Sequence, residues 1–271
     1  MPVVDLHCHI LPGIDDGSKS WEASLKLARA AVADGVTHAL CTPHTLNGRY
    51  TNHKQDVIKL TEEFQDRIDQ AGIPLTVFPG HEVRLSGGLT EALDNDDILF
   101  CDEDGHYMLL ELPSNEVPHY TKNMVYELTR RGITPIVVHP ERNKEILANP
   151  QKLQEFLEMG VLVQITASSY TGLFGKEIED CSREFIKAGQ CAFFASDAHD
   201  LPRRQYQLSE ALDKLAKEFG EDKKQKYLDN AQAVINGDPV YLNWQPLPKK
   251  RKKLLGLFCK RPIARYIKIP S

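Results

Sequence analysis

Residues 133–142 read ITPIVVHPER, an apolar run that ends in a histidine, a proline and two charged residues without alternating on the way. Consecutive apolar positions are what a strand shows when both of its faces are buried, as in a parallel sheet covered by helices. Thr134–His139 is one of seven such runs. The others lie at Val3–Cys8, Thr37–Cys41, Leu75–Phe78, Tyr107–Leu112, Val161–Thr166 and Cys191–Ala195.

Helical periodicity fills the intervals. Ser20–Asp34 sets Leu25, Ala28 and Val32 on one face before Gly35, and His53–Ala71 spaces Val57, Leu60, Phe64 and Ile68 by three and four before Gly72. Tyr120–Arg131, Pro150–Met159, Glu177–Ala188 and Arg203–Phe219 continue the pattern. Strand, helix and glycine stop, repeated over short connections, describe βα units of an α/β fold. Seven units predict a closed or nearly closed barrel, with an open doubly wound sheet as the competing architecture.

The C-terminal ends of the strands are where such barrels keep their chemistry. There the sequence sets His7 and His9, then His44, Glu82, Glu111, His139, and finally Asp197 and His199, while Asp16 lies in the loop after the first run. Each alone has an ordinary explanation as a turn residue, a cap or an ion-pair partner. Nine imidazoles and carboxylates on one rim do not, because burying them costs several kcal/mol each unless cations neutralise them. His7 and His9, two apart on an extended segment, leave the same side of the strand, and Asp197 and His199 are expected to repeat that geometry. With no cysteine in the set, the donors suit manganese, iron or zinc. Four carboxylates among nine ligands predict more than one ion, bridged by a carboxylate such as Glu111.

Composition narrows the function. The 271 residues are 41% hydrophobic and 26% charged, which is globular material, and no apolar run reaches the length of a spanning helix. No secretory pattern opens the chain, so a cytoplasmic setting is expected. The six cysteines are scattered without a CxxC, against a disulfide framework. Cys259 and Arg265 have the Cys-x5-Arg spacing of cysteine-dependent phosphatases, but Pro262 between them removes a backbone N–H that a phosphate cradle needs. From Leu247 onward there are nine Lys or Arg and no Asp or Glu, so the formal net charge of −5 leaves −14 for the rest. An acidic body argues against nucleic acid as ligand.

The motifs HCH, CTPH, GHE, LELP, HPER and SDAH, in this order over about residues 3–240, resemble the PHP (polymerase and histidinol phosphatase) superfamily. The resemblance implies a distorted (β/α)7 TIM-like barrel and a site of up to three divalent ions, usually manganese, on the nine rim residues. DLHCHILPGIDDG, HPERN and SDAHD are similar to the bacterial tyrosine-protein phosphatases of capsule and exopolysaccharide machinery, whose substrate is the tyrosine-rich tail of a bacterial tyrosine kinase. A small-molecule phosphomonoesterase of the histidinol-phosphatase kind is the alternative, and a non-catalytic or DNA-processing PHP module is the alternative of another class. Arg142, three residues past His139, is the candidate bidentate clamp on phosphate, with Arg49 and Arg204 as further candidates. Residues 1–246 are expected to form the barrel and 247–271 a flexible basic tail resting on the anionic inner face of the membrane.

Overall fold

A computed structural model describes residues 2–201 and 203–248; the Cys259–Arg265 pair and nearly all of the basic tail lie outside them. Among the described residues nine short strands follow one another as β1 (Val4–Cys8), β2 (His38–Cys41), β3 (His44–Thr45), β4 (Thr76–Pro79), β5 (Glu82–Arg84), β6 (Tyr107–Glu111), β7 (Thr134–Val138), β8 (Leu162–Thr166) and β9 (Phe193–Ala195). All pairings between them are parallel, in the orders β1-β2-β4 and β3-β5-β6-β7-β8-β9. Helices α1 (Trp21–Ala33), α2 (Lys54–Gln70), α3 (Leu89–Asp94), α4 (Thr121–Arg130), α5 (Lys144–Ala148), α6 (Gln154–Leu157), α7 (Ala167–Thr171), α8 (Lys176–Lys187), α9 (Leu208–Phe219) and α10 (Glu221–Ile235) fill the intervals.

Each of the seven expected runs coincides with a strand to within a residue or two at its ends, and β3 and β5 are additional. They arise where two ladders are interrupted, at Thr42–Pro43 and at Gly80–His81. Pro43 has no N–H to give to a ladder. The register is unchanged across the break, since His38 faces Thr76 before it and His44 faces Glu82 after it. The sheet curls until its ends meet: Asp197 N–H donates to the His7 carbonyl and His9 N–H to the Ala198 carbonyl, each at 2.8 Å.

Both faces of the strands are apolar, for two separate cores. Val4, Leu6, Leu40, Leu109, Ile136, Val138, Leu162 and Phe193 pack inside the curl, while Ala39, Met108, Leu110, Val137, Val163 and Phe194 pack outward against helices. The inner core is closed from below by α10, through Ala231 and Val234, and Asn230 donates to the Ala192 carbonyl at 2.7 Å. Alternation then sets what stands above the inner core. With Val83 and Leu85 outward, Glu82 and Arg84 face in; with Leu110 outward, Glu111 faces in.

Strand β1 departs from this alternation. Val4 and Leu6 belong to the inner core but Cys8 and Ile10 to the outer one, and the switch coincides with a register irregularity between Asp5 and Cys8. A bulge of this kind re-aims side chains, and here it turns His7 and His9 inward.

Four helical expectations change. In α1 the buried stripe is Ser24, Leu27, Ala28 and Ala31, with Leu25 and Val32 only partly buried. Residues 150–159 form a 3-10 turn, Pro150–Leu153, before the short α6. Helix α9 starts at Leu208, not Arg203, because Asp200 and Arg204 make an antiparallel bridge and Asp34 accepts the Leu208 N–H at 2.6 Å. Helices α3, α5, α7 and α10 lie outside the six expected ones, and α10 carries a weak apolar stripe among charges. Phe193, fully buried in the inner core, is among its largest side chains. Phe193→Ala should lower the unfolding free energy by about 3–5 kcal/mol in a urea titration, and a loss under about 1 kcal/mol would show that the inner core does not depend on it.

Candidate metal centre

All nine rim residues come together at the C-terminal end of the curled sheet. His7 Nε2 and His9 Nε2 lie 3.2 Å apart. Glu82 Oε2 is 3.3 and 3.2 Å from these two nitrogens, and Asp197 Oδ1 is 3.5 and 3.4 Å from them. Donor atoms bound tetrahedrally at about 2.1 Å from one ion stand about 3.4 Å from each other. The atoms of His7, His9 and Asp197 form a grouping of that spacing and fit a shared cation.

Three further groupings adjoin this one. His7, Glu82 and His139 form one, with His139 Nε2 2.8 Å from Glu82 Oε1. His44, Glu82 and Glu111 form the second: His44 Nδ1 is 2.8 Å from Glu82 Oε2 and 3.5 Å from Glu111 Oε2. His9, Asp16, His44 and His199 form the third, in which Asp16 Oδ1 stands 3.3 Å from His44 Nε2 and 3.5 Å from His199 Nε2. His44 Nδ1, Glu82 Oε2, Glu111 Oε2 and His199 Nε2 are buried without a hydrogen-bond partner. Orphaned donors aimed at common points fit bound divalent cations.

Two expectations change here. The shared carboxylate is Glu82, which enters two groupings, while Glu111 enters one. Asp197 and His199 do not repeat the His7/His9 geometry: they follow β9, and Asp197 has φ +50°, so the extended alternation is broken and the pair serves different groupings. His139 also has a left-handed backbone, at φ +37°. Such strain in non-glycine residues persists only where the surroundings impose it, and here it falls on two of the nine. Gly17 allows the loop carrying Asp16 to fold back, since a Cβ there would lie 2.1 Å from the His9 carbonyl oxygen.

A ring of partners orients five of the nine. Gln164 Oε1 accepts from His7 Nδ1 at 3.0 Å and Asp15 Oδ2 from His9 Nδ1 at 2.7 Å, leaving each Nε2 to the cluster. The Asp197 carbonyl holds His199 Nδ1 at 2.9 Å. Arg84 pairs with Glu111 Oε1, and Arg142 and Arg204 both pair with Asp197 Oδ2. Gln164 had a signal in the sequence, as a lone polar residue within the apolar run LVQIT.

The charges are arranged for cations. Burial opposes ionisation of Glu82, yet His44, His7 and His139 hold it well below the usual carboxylate range. Burial likewise opposes protonation of His9, but Asp15, Asp197 and Glu82 raise it to about 10. Burial and the nearby Arg142 lower His139 to about 3, and burial and His9 lower His199 to about 4, so these two rings keep free lone pairs.

The cluster forms one wall of a cavity of about 330 Å³ that Arg49, Arg84, Arg142, Arg204, Tyr50, Leu112 and Ser114 also line. Arg142 sits on the 3-10 turn Pro140–Arg142, its guanidinium 5.2 Å from the Phe174 ring centre. Arg49 is exposed, 4.9 Å from the Tyr50 ring centre, and touches none of the nine.

Over residues 3–236 the chain matches the family described as capsular polysaccharide synthesis, CpsB/CapC. It belongs to that family. YwqE of Bacillus subtilis strain 168, a tyrosine-protein phosphatase by name, is 38% identical over 256 residues, 94% of this chain and 100% of the relative. CpsB of Streptococcus pneumoniae, named likewise, is 26% identical over 239 residues, covering 86% of this chain and 98% of its own. A crystal structure from work on YwqE and CpsB, described as metal-dependent tyrosine phosphatases, superposes with a TM-score of 0.87 at 37% identity, over 92% of this chain and 100% of that one. An organophosphorus hydrolase variant from Deinococcus radiodurans shares the fold, with a TM-score of 0.54 at 14% identity over 86% of this chain and 92% of its own.

Asp15→Ala should leave His9 without its orienting acceptor and lower Mn affinity about 10- to 100-fold in a calorimetric titration. Wild-type affinity would show that Asp15 plays no part in the centre.

Proposed function

We propose that the chain is a metal-dependent protein-tyrosine phosphatase. The observation that carries this reading is the overlap of four donor groupings on a cavity lined by arginines, in a family whose relatives bear that activity by name. His7, His9, Asp16, His44, Glu82, Glu111, His139, Asp197 and His199 hold up to three divalent cations, manganese first, with iron or zinc as alternatives; the nitrogen and oxygen donors support that choice. When bound, such ions supply Lewis acidity at the phosphoryl oxygens and a nucleophile from water near neutral pH.

The chain's own residues bind and orient. Arg142 and Arg204, engaged with the outer oxygen of Asp197, present their remaining N–H groups to the cavity and grip the phosphoryl oxygens, with Arg49 at its exposed side. A phenolate leaving group, of pKa near 10, departs with modest acid assistance. Among the described residues no cysteine lines the cavity, and desolvation pushes the Cys191 thiol up to about 12, so the reading needs no thiolate.

The substrate in this reading is the phosphotyrosine tail of a bacterial tyrosine kinase, and the setting is control of capsule or exopolysaccharide synthesis, which the family's description supports. The acidic body speaks against nucleic acid. Among the described residues no helix is long and apolar enough to cross a membrane, which suits a cytoplasmic enzyme whose basic segment rests on an anionic membrane surface. The architecture is a distorted (β/α)7 barrel to residue 246, with β2/β3 and β4/β5 each one interrupted strand, and 247–271 is its tail; unbroken register at the interruptions supports the strand count, and the Gln245 N–H donating to the Ala188 carbonyl at 2.8 Å supports the boundary.

Chelator-treated protein should release no phosphate, and added Mn should restore release from a phosphotyrosine peptide in preference to histidinol phosphate. Preference for histidinol phosphate would make it a small-molecule phosphomonoesterase. Metal bound without activity on either would point to a non-catalytic module.

A further inference from the structure

Arg84 stands two residues after Glu82 on β5 and faces the same way, into the curl, opposite Glu111 on the paired strand β6. Its Nη2 lies 2.9 Å from Glu111 Oε1, and its Nη1 donates to the Leu112 carbonyl at 3.1 Å. Anchoring at two points of a planar fork fixes the direction of the carboxylate as well as its charge. The other oxygen, Glu111 Oε2, is buried without a hydrogen-bond partner and faces His44 Nδ1 at 3.5 Å, where Glu82 Oε2 also converges. Glu111 enters the grouping with His44 and Glu82 and no other. Arg84 therefore touches the cluster through one residue, at one corner.

We propose that Arg84 is a positioning residue that sets the occupancy of one cation position, the one bounded by His44, Glu82 and Glu111, while the position bounded by His7, His9 and Asp197 stays independent of it. The inference rests on the reading that cations occupy these groupings. Arg84 draws Oε1 away from the cluster, leaves Oε2 as a single donor, and offsets the repulsion between two carboxylates that converge on one imidazole nitrogen. A lysine supplies the charge but not the fork, because one ammonium cannot take up the spacing of both Glu111 and the Leu112 carbonyl.

The test measures Mn retained per chain after desalting, with kcat and KM on a phosphotyrosine peptide, for wild type, Arg84→Gln, Arg84→Lys, Glu111→Gln and the Arg84→Gln/Glu111→Gln double variant. Arg84→Gln should retain about one equivalent fewer than wild type, with kcat down about 10- to 100-fold, KM little changed, and recovery in excess Mn. Glu111→Gln should lose the same equivalent, and the double variant no more, because Arg84 acts through Glu111. Arg84→Lys should fall between wild type and Arg84→Gln, and it decides the matter if the glutamine variant does not fold by circular dichroism. Wild-type Mn content in Arg84→Gln with a raised KM would overturn the proposal and put Arg84 on the substrate. Loss of all bound Mn would overturn it too, making Arg84 a support of the whole centre. Wild-type protein that binds no Mn would instead overturn the underlying metal-dependent reading.

Discussion

Buried charge without a partner is the constraint on which this structure turns. Glu82 and Asp197 are both removed from solvent, their oxygens face imidazole nitrogens at hydrogen-bonding distance or slightly beyond, and several of the converging atoms have no hydrogen-bond partner. An isolated carboxylate in such a place would take up a proton instead of remaining ionised. These two are held in the charged form because positive groups surround them, His44 and His7 for Glu82, Arg142 and Arg204 for Asp197.

The rest of the fold answers that constraint. The lower half of the curl is apolar, closed by α10, and it gives the upper half a rigid base. Above it, strand alternation aims Glu82, Arg84, Glu111 and Gln164 inward, and the irregularity in β1 adds His7 and His9. Four of the donors meet on their far side a partner that orients them: Gln164 behind His7, Asp15 behind His9, Arg84 behind Glu111, two arginines behind Asp197. The near sides are left for the ligand. Strained backbone at His139 and Asp197 belongs to the same arrangement, for the left-handed turns bring a side chain back over the sheet end where a regular strand would carry it past.

Much of this was legible in the residues. Consecutive apolar runs such as TPIVV reported strands covered on both faces, and glycines after helices reported where the chain turns back, because these signals are local. The nine candidates were legible because each lies near the C-terminal end of an apolar run or in the loop that follows it. What stayed hidden depended on contacts between distant segments. The bulge in β1 changes no residue type, the breaks at Pro43 and Gly80 look like ordinary turn chemistry, and α10 is mostly polar because it covers the core with few residues. Asp15 and Asp16 are adjacent and identical in type, so only the fold separates the one that holds His9 Nδ1 from the one that faces His44 and His199. Arg84 reads as a surface cation until Glu111 is seen beside it.

The central claim is that these donors converge because cations lie between them. Diffraction from crystals grown with Mn, recorded at the Mn absorption edge, tests it most directly. The account predicts anomalous peaks inside the cluster, one bounded by His7, His9 and Asp197 and another by His44, Glu82 and Glu111, with Glu82 within reach of both. Crystals of folded protein in excess Mn that show no peak among these residues would contradict it.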